Sequence, residues 1–186
     1  LRFTVLAPRQ AGRVRSLEDG AADGWREVSE ETLDTHRAYR VRLPSGRDLA
    51  VFFYDGALSR RLAFGGLLRS GAAVYEELLE AFSGDGGLVH VATDGETYGH
   101  HHRFGEMALA DVFQRIEQRG QARLTCYGAF LEAHPPRWEV EIRERTSWSC
   151  VHGVERWRSD CGCSPDHPTG WTQRWRRSLR EALDGL

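Results

Sequence analysis

The sequence predicts an α/β protein in which short strands alternate with helices around a mostly parallel sheet or a barrel. Short runs rich in β-branched residues, such as Leu88–Ala92, are bounded by glycine and polar residues and indicate strands. Longer segments, such as residues 105–118, repeat their apolar residues at helical spacing. The 186 residues are enough for one ordinary domain with its own core.

The first part of the chain predicts strands. Residues 1–7 have the composition of a strand that ends at a proline. Residues 8–35 are rich in Gly, Asp, Glu and Arg, which is typical of a long surface excursion. Residues 39–43 and 48–54 flank a turn with Pro and Gly and predict a β-hairpin.

The rest of the chain alternates between helices and strands. Residues 58–82 have helical periodicity, and glycines in their first half predict a break into two helices. The remaining predictions are a strand at 87–93, a helix at 105–118, strands at 123–130 and 137–145, an irregular segment at 146–170 and an amphipathic helix at 172–183.

Composition excludes several classes of function. The formal net charge is -2 and the arginines are dispersed among acidic residues, so no nucleic-acid partner is expected. No apolar run approaches the roughly 20 residues that cross a bilayer, so no membrane partner is expected. Four cysteines without a visible secretion signal favour thiols or a metal site, and cytoplasmic localisation. The chain begins with a strand already under way and ends with a helical run that has no tail, so an internal fragment is expected.

A dense group of polar side chains follows the predicted strand at 87–93. Asp94–Glu96 comes directly after it, then Tyr98 and the run His100–His102. Carboxylates at the carboxyl end of a barrel strand lie where such folds build active sites, and Gly95 would allow a sharp turn there. The alternative is a structural turn, because Asp-Gly is above all a turn dipeptide and His runs are commonly solvated.

The stretch Thr93–Gly99 resembles the fourth conserved region of glycoside hydrolase family 57, where Asp-Gly-Glu follows a strand and an aromatic-Gly pair closes the region. Its continuation to Leu109 is similar to a bacterial subgroup that couples such a catalytic domain to an uncharacterised C-terminal domain. Arg2–Gln10 and Ser147–Cys163 agree with the same subgroup. The resemblance therefore spans nearly the whole chain.

The resemblance implies a retaining glycosidase or glucanotransferase that acts on α-glucan or oligosaccharide and uses no cofactor. It implies that Asp94 is the general acid/base of the carboxyl pair such enzymes need. The family's nucleophile, a Glu on an earlier strand, matches no residue here. The fragment alone is therefore expected to be inactive and to depend on the remainder of its parent chain. Substrate or loop-ordering contacts are expected from Glu96, Tyr98, His100, His101 and His102.

The same resemblance implies a partial (β/α)7 barrel of the glycoside hydrolase 57 and 38 type. We expect residues 1–145 to form the later part of this barrel, with an insertion at about 8–57 that includes the β-hairpin. Residues 146–186 are expected to form a Cys- and Trp-rich loop and a helix that close the site or begin the next domain.

A second group of candidate residues lies in the Cys-rich segment. Trp148 and His152 match a substrate-cleft pattern of the family, so Trp148 could stack on a sugar and His152 could donate to a hydroxyl. No catalytic metal is expected, but four residues are possible zinc ligands despite an unusual spacing: Cys150, His152, Cys161 and Cys163. Buried thiols beside a loop histidine are the alternative.

Two other functions fit the same residues. Asp94 and His100–His102 could hold a metal in a polysaccharide deacetylase or a related hydrolase, which predicts activity that a chelator removes. A non-catalytic carbohydrate-binding module is the second alternative. A Glu-bearing strand encoded upstream would favour the glycosidase.

Overall fold

The computed structural model describes residues 2–18, 24–82, 87–163 and 170–186. The chain divides into two compact units, Leu1–Glu141 and Ile142–Leu186. Strands and helices both occur, so the predicted α/β class is confirmed. Within the described ranges, every helix is too short or too polar to cross a membrane.

One mixed sheet of six strands forms among the described residues. The strands are β1 (Phe3–Leu6), β2 (Ala11–Ser16), β3 (Arg26–Glu27), β4 (Ala38–Arg42), β5 (Asp48–Phe53) and β6 (Trp138–Ile142). Their order across the sheet is β1, β5, β4, β6, β2, β3. β1 runs parallel to β5, β4 runs antiparallel to β5, and β6 runs parallel to β4.

The predicted β-hairpin is formed by β4 and β5, from Ala38 opposite Phe52 to Arg42 opposite Asp48. Its strands are inner members of the sheet, and Phe52 is fully buried. That the hairpin is an insertion relative to other proteins stays a prediction.

The surface excursion predicted ahead of the hairpin is wrong in its first part, which forms β2. Val14 is fully buried, as the inward position of a strand requires. Arg13 pairs with Glu141 through two hydrogen bonds of 2.7 and 2.8 Å, and Arg15 pairs with Glu139 at 2.8 and 2.6 Å. The arginines that suggested a solvent-exposed segment therefore pair with glutamates of the strand β6 in the same sheet.

The helices are α1 (Gly56–Phe64), α2 (Gly71–Glu80), α3 (Gly105–Arg119), α4 (Tyr127–Ala133), α5 (Glu155–Arg158) and α6 (Trp175–Asp184). Asp55 caps α1 by accepting from the Leu58 N–H at 2.8 Å, and Ser70 caps α2 by accepting from the Ala73 N–H at 3.3 Å. The predicted break between two helices and the predicted helix at 105–118 are confirmed.

The strand predicted at residues 123–130 is wrong, because its second half begins α4. Phe130 is buried and its ring centroid lies 6.1 Å from that of Phe52. The apolar residues of this stretch therefore lie on one face of α4 and pack against the sheet.

The strand predicted at residues 87–93 is an extended segment that pairs with no strand among the described residues. Its N–H groups bond elsewhere: Leu88 donates to the His36 carbonyl at 2.9 Å, and Ala92 donates to the Ser59 hydroxyl at 3.0 Å. The prediction fails because a strand ladder needs a neighbouring strand about 4.8 Å away.

The same extended segment separates two apolar clusters, because its side chains alternate. Leu88 packs with Phe52 and other residues of the sheet. Val89 and Val91 pack against a cluster built from α1, α2 and α3. Both clusters therefore fix the course of the chain that leads to Asp94.

The second unit has almost no apolar core among its described residues. The buried ones are Ser147, Cys150, Gly153 and Gln173. Its large aromatic side chains are exposed by 41 to 59%: Trp148, Trp157, Trp171 and Trp175. Burial of apolar surface therefore contributes little to the stability of this unit.

Candidate functional site

Asp94 lies where the extended segment ends and one 3-10 turn, Gly95–Thr97, begins. The Thr97 N–H donates to the Asp94 carbonyl at 3.0 Å. The Asp94 side chain is exposed and has no hydrogen-bond or ion-pair partner among the residues that the structure describes. The backbone thus holds a carboxylate that an incoming molecule can reach.

Backbone hydrogen bonds brace the chain after Asp94. The His101 N–H donates to the Glu96 carbonyl at 2.9 Å, and the His102 N–H donates to the Thr97 carbonyl at 3.2 Å. The Gly99 N–H donates back to the His102 carbonyl at 3.1 Å. Residues 94–102 therefore form a loop whose shape does not depend on the Asp94 side chain.

Tyr98 stabilises this loop through its packing and one hydrogen bond. Its ring is half-buried against the cluster of α1, α2 and α3, and its hydroxyl accepts a hydrogen bond from the Thr93 hydroxyl at 3.1 Å. A contact between Tyr98 and substrate stays a prediction, whereas its structural contacts are already evident.

The three histidines of the loop have different surroundings. His102 is half-buried, and its Nε2 donates to the Ala63 carbonyl at 2.7 Å. His100 and His101 are exposed, and their ring centroids are 4.9 Å apart. The Nε2 of His101 lies 3.5 Å from the Glu96 carboxylate. His102 thus anchors the loop to α1, and the other two remain accessible.

Asp94 and these histidines do not form a metal site. In the described part of the chain, the side chains that could hold a metal ion are those of Cys150, His152, Cys161 and Cys163. The Nε2 of His102 donates to the Ala63 carbonyl, so this atom is not available as a metal ligand. The structure therefore does not support a catalytic metal at Asp94 and His100–His102.

The predicted residues Trp148 and His152 lie in the second unit. Trp148 is 59% exposed and so presents a flat indole surface, which can stack on the apolar face of a sugar ring. Substrate contacts from Trp148 and His152 stay predictions.

Four side chains converge in the second unit as the sequence allowed. The His152 Nδ1 lies 3.1 Å from the Cys163 Sγ and 3.7 Å from the Cys150 Sγ. The four possible ligand atoms, with that of Cys161, all lie within 4.8 Å of one another. The cysteines are free, and Cys126 is exposed elsewhere in the chain.

Cys150 has the most distinctive electrostatic environment in this cluster. Burial opposes ionisation of its thiol, but hydrogen bonds from the His152 N–H and from Cys163, His152 and Cys161 outweigh that effect and lower its pKa to about 7. The cluster therefore favours a thiolate at Cys150.

Sequence reasoning missed two polar residues that brace this cluster, Ser147 and Gln173. The Ser147 hydroxyl lies 3.4 Å from the Cys150 carbonyl and 3.2 Å from the Gly153 carbonyl. The Gln173 Oε1 lies 3.7 Å from the Cys161 Sγ and also accepts from Arg176 at 2.6 Å. Their burial results from tertiary packing, so no local pattern signals it.

Comparison with known proteins gives a family match: the model described as glycosyl hydrolase family 57 matches residues 17–143. Among solved structures, the fold is similar to that of an exo-type maltose-forming amylase from Pyrococcus sp. ST04, with a TM-score of 0.63 and 14% identity. The similarity covers 98% of this chain, which spans 33% of the amylase chain. No curated protein matches.

Proposed function

This chain belongs to glycosyl hydrolase family 57, and on that premise we propose that it is part of a retaining glycoside hydrolase or transglycosylase that acts on α-glucans. Asp94 is its general acid/base. One observation carries the proposal: Asp94 presents an exposed carboxylate, unpartnered among the described residues, from a loop that the backbone braces independently. The amylase of similar fold supports the substrate class.

In the first step, the protonated Asp94 gives its proton to the glycosidic oxygen while a nucleophilic carboxylate attacks the anomeric carbon. The bond between that carbon and the leaving sugar breaks, and a covalent glycosyl-enzyme forms. In the second step, Asp94 takes a proton from water or from the hydroxyl of an acceptor sugar, which displaces the nucleophile. Hydrolysis and transfer therefore differ in the acceptor alone.

The nucleophile comes from the remainder of the parent chain. By resemblance it is a Glu on an earlier strand, and none of the 186 residues matches it. In a retaining enzyme the two carboxyl groups lie about 5–5.5 Å apart. We therefore expect the 186 residues alone to be inactive.

The other residues of the loop divide into two roles. Glu96, His100 and His101 are exposed and bind sugar hydroxyls. Tyr98 and His102 hold the loop in place through Thr93 and the Ala63 carbonyl, as their hydrogen bonds favour. Trp148 stacks on a sugar ring, and His152 donates to a hydroxyl through its Nε2.

The test uses the full-length protein and measures release and transfer from α-1,4- and α-1,6-linked glucans. Asp94→Asn should lower kcat by about 10²–10⁴-fold, since an amide cannot carry the proton. Glu117→Gln is the matched control, because it removes an exposed carboxylate from α3. Wild-type activity in Asp94→Asn would overturn the role given to Asp94.

The alternatives give different results in the same assay. Activity that a chelator removes and added metal restores, while circular dichroism shows that the fold is unchanged, would indicate the metal-dependent hydrolase. Glucan binding without turnover by the full-length protein would indicate a carbohydrate-binding module.

A further inference from the structure

We propose that Cys150, His152, Cys161 and Cys163 bind one structural zinc ion, which serves as the core of the second unit. This zinc takes no part in the bond changes of glycosyl transfer, because it binds the His152 Nδ1 and leaves the Nε2 free for a sugar hydroxyl. The proposal does not rest on the function of Asp94.

The geometry is already close to that of a zinc site. Zn–S bonds of about 2.3 Å and Zn–N bonds of about 2.0–2.1 Å place tetrahedral ligand atoms about 3.5–3.8 Å apart. Here the His152 Nδ1 lies 3.7 Å from the Cys150 Sγ and 3.1 Å from the Cys163 Sγ, and no pair among the four exceeds 4.8 Å. Side-chain shifts of about 1 Å therefore bring the four atoms to the corners of a tetrahedron.

The donor set selects the metal. Three thiolates and one imidazole suit Zn²⁺, whereas Ca²⁺ and Mg²⁺ prefer oxygen ligands. Four protein ligands also leave no open position for water or substrate, which is typical of structural rather than catalytic zinc.

The backbone supports the ligand loop before any metal binds. The His152 N–H donates to the Cys150 Sγ at 3.4 Å, which holds the two ligand residues close together. The Gly153 N–H donates to the Cys150 carbonyl at 3.0 Å, so residues 150–153 form a tight turn.

Gly153 is the residue on which this turn depends. Its φ is +62°, and a Cβ at this position would lie 1.9 Å from the Arg145 carbonyl oxygen. No other residue fits without moving the backbone. Residues 150–153 therefore favour one backbone conformation, and that conformation brings the Cys150 thiol and the His152 imidazole together.

The composition of the second unit supplies an independent reason for a metal. Its described buried residues are Ser147, Cys150, Gly153 and Gln173, so one ligand of the cluster and three neighbouring residues form the interior, while Cys161 and Cys163 are half-buried and His152 is exposed. A small unit with so little apolar burial needs a disulfide, a metal or a partner to stay folded. The cysteines are free, and their atoms converge with a histidine nitrogen. A zinc ion would stabilise the small unit and would use the converging cysteine and histidine atoms as its ligands.

Nearby guanidinium groups favour the charge that this site would carry. Zn²⁺ with three thiolates has a net charge of about -1. Arg156 donates to the Cys163 carbonyl at 3.3 Å, and Arg176 donates to the Arg156 carbonyl and to Gln173 at 2.6 Å each. Arg156 thus contacts one ligand residue directly, and Arg176 contacts Gln173, whose Oε1 lies 3.7 Å from the Cys161 Sγ, as outer partners of metal sites do.

The first experiment measures thiol protection in the full-length wild-type protein. Native protein is treated with an alkylating reagent, and peptide mass spectrometry locates the modified cysteines. Cys150, Cys161 and Cys163 should stay unmodified and become reactive together when a chelator removes about one equivalent of zinc. Cys126 is exposed, so it should react throughout and serves as the internal control.

The second experiment compares the zinc content of variants. Cys163→Ser and His152→Ala should each contain about one zinc less per chain than the wild type. Cys126→Ser removes an exposed thiol outside the cluster and should retain the wild-type zinc content.

Three results would overturn the proposal. The first is ready alkylation of the three cysteines in native protein. The second is protection that a reductant alone removes, which would indicate a disulfide. The third is an unchanged zinc content in Cys163→Ser. Because the first experiment needs no variant, a substitution that unfolds the protein cannot obscure the outcome.

Discussion

The hydroxyl of Thr93 donates a hydrogen bond of 3.1 Å to the hydroxyl of Tyr98, and this bond closes the chain across Asp94. Thr93 belongs to the end of the extended segment, and the ring of Tyr98 packs against the helical cluster. The bond therefore ties the residue before Asp94 to a fixed part of the core. It restrains the backbone on both sides of Asp94.

Tyr98→Phe keeps the packed ring and removes this hydrogen bond. We expect kcat of the full-length protein to fall by up to about tenfold with KM little changed, because a displaced acid/base loses alignment with the glycosidic oxygen. The free energy of unfolding should fall by about 0.5–1.5 kcal/mol. Tyr54→Phe is the control, since the described residues give its hydroxyl no hydrogen-bond partner. Reduced stability with unchanged kcat would limit Tyr98 to a structural role.

His102 should matter for stability more than its two neighbours do. Its Nε2 donates to the Ala63 carbonyl at 2.7 Å, and His102→Ala removes that bond together with half-buried contacts. We expect a loss of about 1–2 kcal/mol in the free energy of unfolding. His100→Ala removes an exposed ring and should cost less than about 0.5 kcal/mol. Denaturant titration measures both, and equal losses would contradict the anchoring role of His102.

Gly95 should be needed for activity and not for folding. The chain turns here in the 3-10 helix Gly95–Thr97, but the φ of Gly95 lies outside the left-handed region and an added Cβ would meet no atom within 4 Å, so the turn does not require glycine. Gly95→Ala should therefore keep the wild-type stability within about 0.5 kcal/mol. It should raise KM for glucan several-fold, because the methyl group would lie beside Asp94 in the path of the substrate.

Gly128→Ala is the matched control for that substitution. Gly128 lies in α4, and its added Cβ would also meet no atom within 4 Å. It should leave KM unchanged. An unchanged KM in Gly95→Ala as well would show that substrate does not pass close to this position.

His90 should make stability depend on pH. Its Nδ1 accepts from the Tyr127 hydroxyl at 2.9 Å, and its Nε2 donates to the Thr35 carbonyl at 3.2 Å. Burial lowers the pKa of His90, because the charged ring would lose its water. The unfolded chain then binds the proton more readily, with a pKa of about 6.5. The contribution of neutral His90 to the free energy of unfolding is therefore present above about pH 6.5, and it is lost as the pH falls toward the lower pKa of the folded protein.

Denaturant titrations at about pH 7.5, 6 and 5 test this dependence. The decline in the free energy of unfolding should be steeper for the wild type than for His90→Gln. His100→Gln removes an exposed histidine and should keep the wild-type slope. A wild-type slope in His90→Gln would contradict the assignment.

Elements with a local signal could be predicted from the sequence. The hairpin of β4 and β5 and the helix α3 follow from periodicity and turn residues alone. β2 could not be predicted, because Arg13 becomes acceptable in a sheet only when Glu141 of a distant segment pairs with it. Long-range partners decide such strands, and a single sequence does not display them.

The candidate site shows the same division. Asp94 was found from a motif, since the Asp-Gly-Glu sequence is contiguous. The anchoring of His102 was not, because its partner Ala63 lies 39 residues earlier in α1. The Cys/His cluster was recognised as possible, but its convergence depends on the turn at Gly153. Residue types were thus predictable, and their division into exposed and anchoring roles was not.

The most direct test of the account compares two substrates that differ in their need for a proton. A sugar leaving from an α-glucan must be protonated, whereas the fluoride of an α-maltosyl fluoride leaves largely without a proton. In full-length Asp94→Asn, first-turnover cleavage of the glucan should fall by about 10²–10⁴-fold, while fluoride release falls far less. Glu117→Gln should be unaffected on both substrates. Equal losses on both substrates in Asp94→Asn, or no loss on either, would contradict the assignment of Asp94 as the general acid/base.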